Sequence, residues 1–134
     1  MKLIIGVKGT GKTKALIDMA NSALETSKGS VICIEKGDKL RFDIKYQVRL
    51  IDSDEYHVGD AHALYGFVAG ILASDHDVTD LFIDSALKIC KNDTEAFDGF
   101  LLRLDALAKK LGVNVVITSS IPVEEASETV NQYV

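Results

Sequence analysis

Residues Gly6-Val7-Lys8-Gly9-Thr10-Gly11-Lys12-Thr13 decide how the chain is read. They fit the pattern G-x-x-x-x-G-K-[ST] at every fixed position. Ahead of them stands Leu3-Ile4-Ile5, a short apolar run that reads as a buried strand. Behind them Ala15, Leu16, Met19, Ala20, Ala23 and Leu24 recur at helical spacing, which predicts a helix over about 12–27. Gly29 stands where it would end that helix.

Strand, glycine turn and helix in this order imply a chemistry. Gly6, Gly9 and Gly11 carry no Cβ, so the backbone turns tightly and its N–H groups point inward. With the positive end of the helix, those groups make a nest for a polyphosphate. Lys12 then reaches the β- and γ-phosphates, and the Thr13 hydroxyl takes one position around a six-coordinate Mg²⁺. The expected nucleotide-binding set is Gly6, Lys8, Gly9, Thr10, Gly11, Lys12, Thr13 and Lys14. The plain alternative is a glycine-rich turn that matches by chance, and the strand and helix on either side argue against it.

A second signal lies at Leu81-Phe82-Ile83-Asp84-Ser85, an apolar strand that ends in a carboxylate. Alone it is weak, since such runs recur in α/β proteins. In a parallel sheet it would bring Asp84 to the same end as the glycine loop. Val113-Asn114-Val115-Val116-Ile117 is a further interior strand, ending at Thr118-Ser119-Ser120.

On these motifs the chain resembles the P-loop NTPase superfamily, as strand–loop–helix order over most of its length. It is more loosely similar to small stand-alone P-loop proteins of anaerobic Gram-positive bacteria that are labelled twitching-motility (pilus-retraction) ATPases. True retraction ATPases are larger, with a separate N-terminal domain and a histidine-containing box that this sequence lacks. The resemblance implies a three-layer α/β domain of about five mostly parallel strands. It makes Asp84 the Walker B residue, holding Mg²⁺ through a water, with Lys12 and Asp84 central to catalysis. Many relatives place Glu, as the base, directly after this Asp; Ser85 stands there instead. In the RecA-like branch acids just after the second strand supply the base, which points to Glu35, with Asp54 and Glu55 in reserve. In the additional-strand branch the 113–120 strand inserts between the first strand and Walker B, and Ser119 or Ser120 would face the γ-phosphate. A hydroxyl-rich turn before Pro122 is the equal alternative. Arg41, Arg49 and Arg103 belong to no arginine-finger motif.

The implied activity is Mg²⁺-dependent binding of ATP or GTP with slow hydrolysis, Lys12, Asp84 and Glu35 being the catalytic candidates. A nucleotide-binding switch that barely hydrolyses is the alternative. Third comes a small-molecule or nucleoside kinase, since the strand order and basic second region are similar to thymidine kinases. The zinc-bound lasso of that family, with its paired cysteines, has no counterpart here, and neither does a lid. A second copy or a protein partner is the expected source of any group the site lacks.

Composition bounds the rest. At 134 residues, 47% hydrophobic with one Pro, the chain predicts a single globular domain over 1–134. No apolar run spans a membrane, and Met1-Lys2-Leu3 enters the first strand directly, so a cytoplasmic protein without a signal peptide is expected. Cys33 and Cys90 form no metal or redox pattern, and His57, His62 and His76 show no helical metal-pair spacing. Net charge is −5, which disfavours general nucleic-acid binding. Residues 1–51 carry ten Lys/Arg against five Asp/Glu, however, and 52–134 five against fifteen, so the basic part holds the glycine loop.

Between these motifs Val31-Ile32-Cys33-Ile34 reads as a strand buried on both faces. Leu40, Phe42, Ile44, Tyr46, Val48 and Leu50 alternate with polar residues. That period predicts a turn near 36–39 and an edge strand over about 44–51, its charged side solvated or facing an anionic partner. A helix is expected over 60–73, with Gly66 and Gly70 allowing close approach. Another is expected to be capped by Asn92 with Glu95 and ended by Lys109-Lys110 and Gly112. A short last helix over 124–133 would start at Pro122.

Overall fold

The computed structural model describes residues Met1–Val134. Five strands form one sheet: β1 (Lys2–Gly6), β2 (Ser30–Glu35), β3 (Arg49–Asp52), β4 (Val78–Ile83) and β5 (Asn114–Ser120). Their order is β1-β5-β4-β2-β3, and every neighbouring pair is parallel. The helices are α1 (Lys12–Thr26), α2 (Ala61–Ser74), α3 (Ala86–Ile89), α4 (Thr94–Leu111) and α5 (Glu128–Asn131). None is long and apolar enough to cross a membrane.

The layers follow from the two-residue period of strands. On β2, Val31 and Cys33 join Leu16, Ala20 and Ala23 of α1 in one core. Ile32 and Ile34 turn the other way, into a larger core with Leu64 and Val68 of α2 and Leu101 and Leu104 of α4. Burial on both faces is why the central strands read as unbroken apolar runs. The steps β1→β2 and β2→β3 run toward the β3 edge on the α1 face, whereas β3→β4 and β4→β5 run back on the α2/α4 face. Opposite directions on opposite faces give all four crossovers one hand, as a twisted parallel sheet requires. At the β1 edge the Leu3 N–H donates to the Tyr133 carbonyl at 2.8 Å, so the C-terminal tail covers that strand.

The helices depart from expectation in four places, three of them at helix ends. Helix α1 stops at Thr26 with Ser27 extended, so Gly29 does not end it. Gly29 answers another constraint: a Cβ there would sit 1.9 Å from the Asp77 carbonyl oxygen. Gly66 and Gly70 make no close approach, because an added Cβ at either meets nothing within 4 Å. The cap of α4 is Asp93, whose Oδ1 accepts from the Ala96 N–H at 3.1 Å; Asn92 has φ 57° and lacks the extended backbone of a cap. Beyond Pro122 the chain makes a 3-10 turn (Val123–Glu125) and then α5, capped by Ser127, instead of one helix. Gly112 (φ 70°) ends α4 behind Lys109 and Lys110 as the sequence indicates.

The larger correction concerns 36–48. Only Arg49–Asp52 is strand, though it does lie at the sheet edge. The preceding residues form turns, in which Leu40 O accepts from the N–H of both Asp43 (2.9 Å) and Ile44 (3.0 Å). Amides used locally cannot pair with β2. Leu40, Ile44 and Val48 are buried whereas Phe42 and Tyr46 are exposed, so burial repeats every four residues and not every two.

Gly29→Ala should therefore destabilise the protein by about 1–3 kcal/mol, the scale of an overpacked site. Gly66→Ala, on an exposed helical position with free space, should be neutral or stabilising by up to about 1 kcal/mol. Urea denaturation of both variants checks the pair.

Candidate functional site

The carboxyl ends of β1, β2, β4 and β5 open onto one cleft of about 520 Å³. The first wall is the glycine loop between β1 and α1. Gly9 (φ 86°) and Gly11 (φ 83°) hold left-handed conformations that a side chain would strain. Thr10 Oγ1 and Lys12 Nζ each donate to the Val7 carbonyl at 2.8 Å, drawing the loop around its own backbone. Lys12 is buried there although it carries charge.

Asp84 follows β4 at the floor of the cleft. Thr13 Oγ1 donates to its two carboxylate oxygens at 3.1 and 3.4 Å, joining positions distant in sequence. Thr118 Oγ1 donates to Asp84 Oδ1 at 2.7 Å and accepts the Ser85 N–H at 2.9 Å. Ser85 Oγ donates to Oδ2 at 3.3 Å. Three hydroxyls thus converge on one carboxylate. Thr118 was missed by sequence reasoning, although the two-residue period of β5 was signal enough to put it on the same face as Ser120. Ser119 points the other way: fully buried, it accepts the Leu87 N–H at 3.2 Å and donates to Thr118 O at 2.7 Å, anchoring α3. Of the two serines considered, only Ser120 lines the cleft.

Glu35 ends β2, is 3% exposed and lines the cleft. Its carboxylate accepts the Lys39 N–H at 3.0 Å and the Leu40 N–H at 3.1 Å, one on each oxygen. Burial pushes this carboxyl above its usual range; the two amides pull it down, and the Asp84 and Asp52 carboxylates push it further up. Asp54 and Glu55 lie outside the cleft. Asp54 pairs with Lys36 at 2.7 Å, and Glu55 lines a separate groove beside β3. The arginines stay away too: Arg41 pairs with Asp38, Arg103 stacks 3.8 Å over the Tyr65 ring, and Arg49 lies along the groove beside β3.

The cleft is cationic. Lys8, Lys12, Lys14, Lys36, Lys39 and Lys88 line it against two carboxylates, Glu35 and Asp84. Lys88 and Asn92 reach it from the chain around α3, and nothing in the sequence marked either as a cleft residue. Such a field concentrates an anionic ligand. Thr13 and Asp84 offer hydroxyl and carboxylate oxygen, a donor set that suits Mg²⁺, which retains waters and takes phosphate oxygens for its other positions. No group of three or more His, Cys, Asp or Glu gathers into a self-contained metal cage. Cys33 and Cys90 are buried free thiols, each pushed up to about 12, mainly by burial.

No protein-family model matches the chain, and no curated protein sequence matches it.

The raised Glu35 carboxyl has a measurable consequence. The folded state holds this proton more tightly than the unfolded one, whose carboxyl titrates near 4.5. Its contribution to stability is therefore full below pH 4.5 and is lost as pH rises through the folded value. Urea midpoints measured against pH should show a falling component just above pH 4.5 in the native protein that Glu35→Gln lacks.

Proposed function

We propose that the cleft binds a nucleoside triphosphate, ATP or GTP, with Mg²⁺ and slowly hydrolyses its β–γ bond. The observation that carries this reading is the hydrogen bond from Thr13 to Asp84, which joins the end of the glycine motif to the end of β4 inside a lysine-lined cleft. The amides of the Gly9–Thr13 turn surround the phosphates, and Lys12 leaves the Val7 carbonyl to bind them. Thr13, and Asp84 through a water, would hold Mg²⁺, which would supply positive charge to stabilise the negative charge of the phosphates. Glu35, which ends β2 and lines the same cleft, would orient a water and take its proton as the water oxygen bonds to the γ-phosphorus and the bridging bond to the departing diphosphate breaks. A carboxyl raised by burial is better matched to that task than an exposed one.

One observation favours the switch alternative. Both Glu35 oxygens already hold backbone amides, which stabilise the charged carboxylate, weaken it as a base and tie it to the turn after β2. Ser85, beside Asp84, supplies no replacement.

Two experiments test these readings. Lys12→Ala should weaken ATP binding by about 1.5–3 kcal/mol in calorimetry, as loss of a charge-assisted contact does. Asp84→Asn should remove the Mg²⁺ dependence of affinity. Equal affinity in Lys12→Ala and the native protein rejects nucleotide binding in this cleft. For turnover, Glu35→Gln should slow phosphate release by about 10²-fold with affinity nearly constant. Native release at background level, unchanged in Glu35→Gln, would instead assign the cleft to a switch.

A further inference from the structure

The segment between β2 and β3 repeats a four-residue unit: Arg41-Phe42-Asp43-Ile44, then Lys45-Tyr46-Gln47-Val48. Each unit reads cation, aromatic, polar, aliphatic. The aliphatic positions, with Leu40 ahead of them, are buried in the core under α1. The aromatic positions face solvent: Phe42 is 85% exposed and Tyr46 92%, the most exposed large apolar side chains of the protein. This exposure is held in place. Asn21 on α1 donates through Nδ2 to Asp43 O and accepts the Lys45 N–H through Oδ1, both at 2.9 Å, while Glu35 fixes the amides of Lys39 and Leu40. Both rings therefore stand on a braced turn.

Charge surrounds them. Residues 36–49 hold Lys36, Lys39, Arg41, Lys45 and Arg49 against Asp38 and Asp43, five against two, a local +3 in a chain of net charge −5. Lys36 and Arg41 have acidic partners, Asp54 and Asp38; Lys39, Lys45 and Arg49 have none. Arg41 lies 4.8 Å over the Phe42 ring.

We propose that this repeat binds single-stranded nucleic acid, each unit offering one ring to a base and one cation to a phosphate. Bases stack on any exposed aromatic face, and cations beside the rings track the backbone. The segregation of apolar residues favours this ligand over a lipid surface. Membrane binding scales with the apolar area inserted, and here two rings alone are offered while Leu40, Ile44 and Val48 point into the core, too small a face for lipid. An acidic peptide would use the cations and leave the two rings without a role. The net negative charge of the whole protein is consistent with a short, salt-sensitive site and argues against a coating of duplex. The site borders the lysine cleft through Lys39 and Leu40 but does not depend on what the cleft binds.

The test uses the intact protein and a labelled oligothymidylate of about ten nucleotides, read by fluorescence anisotropy at low salt. The chain has no Trp, so its emission is that of four tyrosines, and a base stacked on Tyr46 should quench it. Binding should weaken steeply with salt, fall about tenfold in Phe42→Ala and in Tyr46→Ala, and vanish in the double variant. Because both rings are exposed, melting temperatures should stay unchanged. Absence of binding at low salt overturns the proposal, as does equal binding by the folded double variant. Binding of phosphatidylserine vesicles or polyglutamate in place of the oligonucleotide, lost in the double variant, overturns it in favour of a membrane or an acidic protein.

Discussion

The carboxylate of Asp84 is where the parts of the molecule meet. It receives hydroxyls from Thr13 at the start of α1, Thr118 on β5 and Ser85 at the entry to α3. A carboxylate this buried is costly to hold without partners. Its three donors meet that need and also fix the relative positions of loop, floor and wall. Thr118 is doubly engaged, since its oxygen accepts the Ser85 N–H and so holds the left-handed turn (φ 55°) that starts α3. Beside it, Ser119 independently seats α3 on β5, and the chain around α3 brings Lys88 and Asn92 to the cleft.

Glu35 is the opposite pole of the site. Its two oxygens close the turn after β2, and burial raises its carboxyl. The same side chain thus braces the segment that carries Phe42 and Tyr46 and lines the cationic cleft. A change in its hydrogen bonding would be felt on both sides. Two amides and one carboxylate thus link the cleft to the braced turn, beside the packing of Leu40, Ile44 and Val48 under α1.

The two-residue pattern at 40–50 misled because strands and this turn repeat share it. Every second residue is apolar, yet every fourth is buried, and the apolar residues split into aliphatic and aromatic sets. A strand would have sent both sets to one face. Local hydrogen bonds within the turns remove the amides a longer strand would need, and a four-residue β3 remains.

The sequence by itself determined the glycine loop, the strand before it, the apolar runs of β2, β4 and β5, the helices α1, α2 and α4, and the parallel α/β class, because hydrophobic period and turn chemistry are local properties. The insertion of β5 between β1 and β4 was expected from family resemblance and is seen in the sheet. Tertiary structure alone decided which hydroxyl reaches Asp84, that Ser119 turns inward, that Asp54 and Glu55 lie outside the cleft, and that Lys88 lines it. These depend on which strands become neighbours, and a carboxylate records nothing in sequence about a donor that comes to it only when the sheet closes. Gly29 is the same case in reverse: its need for a missing Cβ comes from Asp77, far along the chain, and not from the helix beside it.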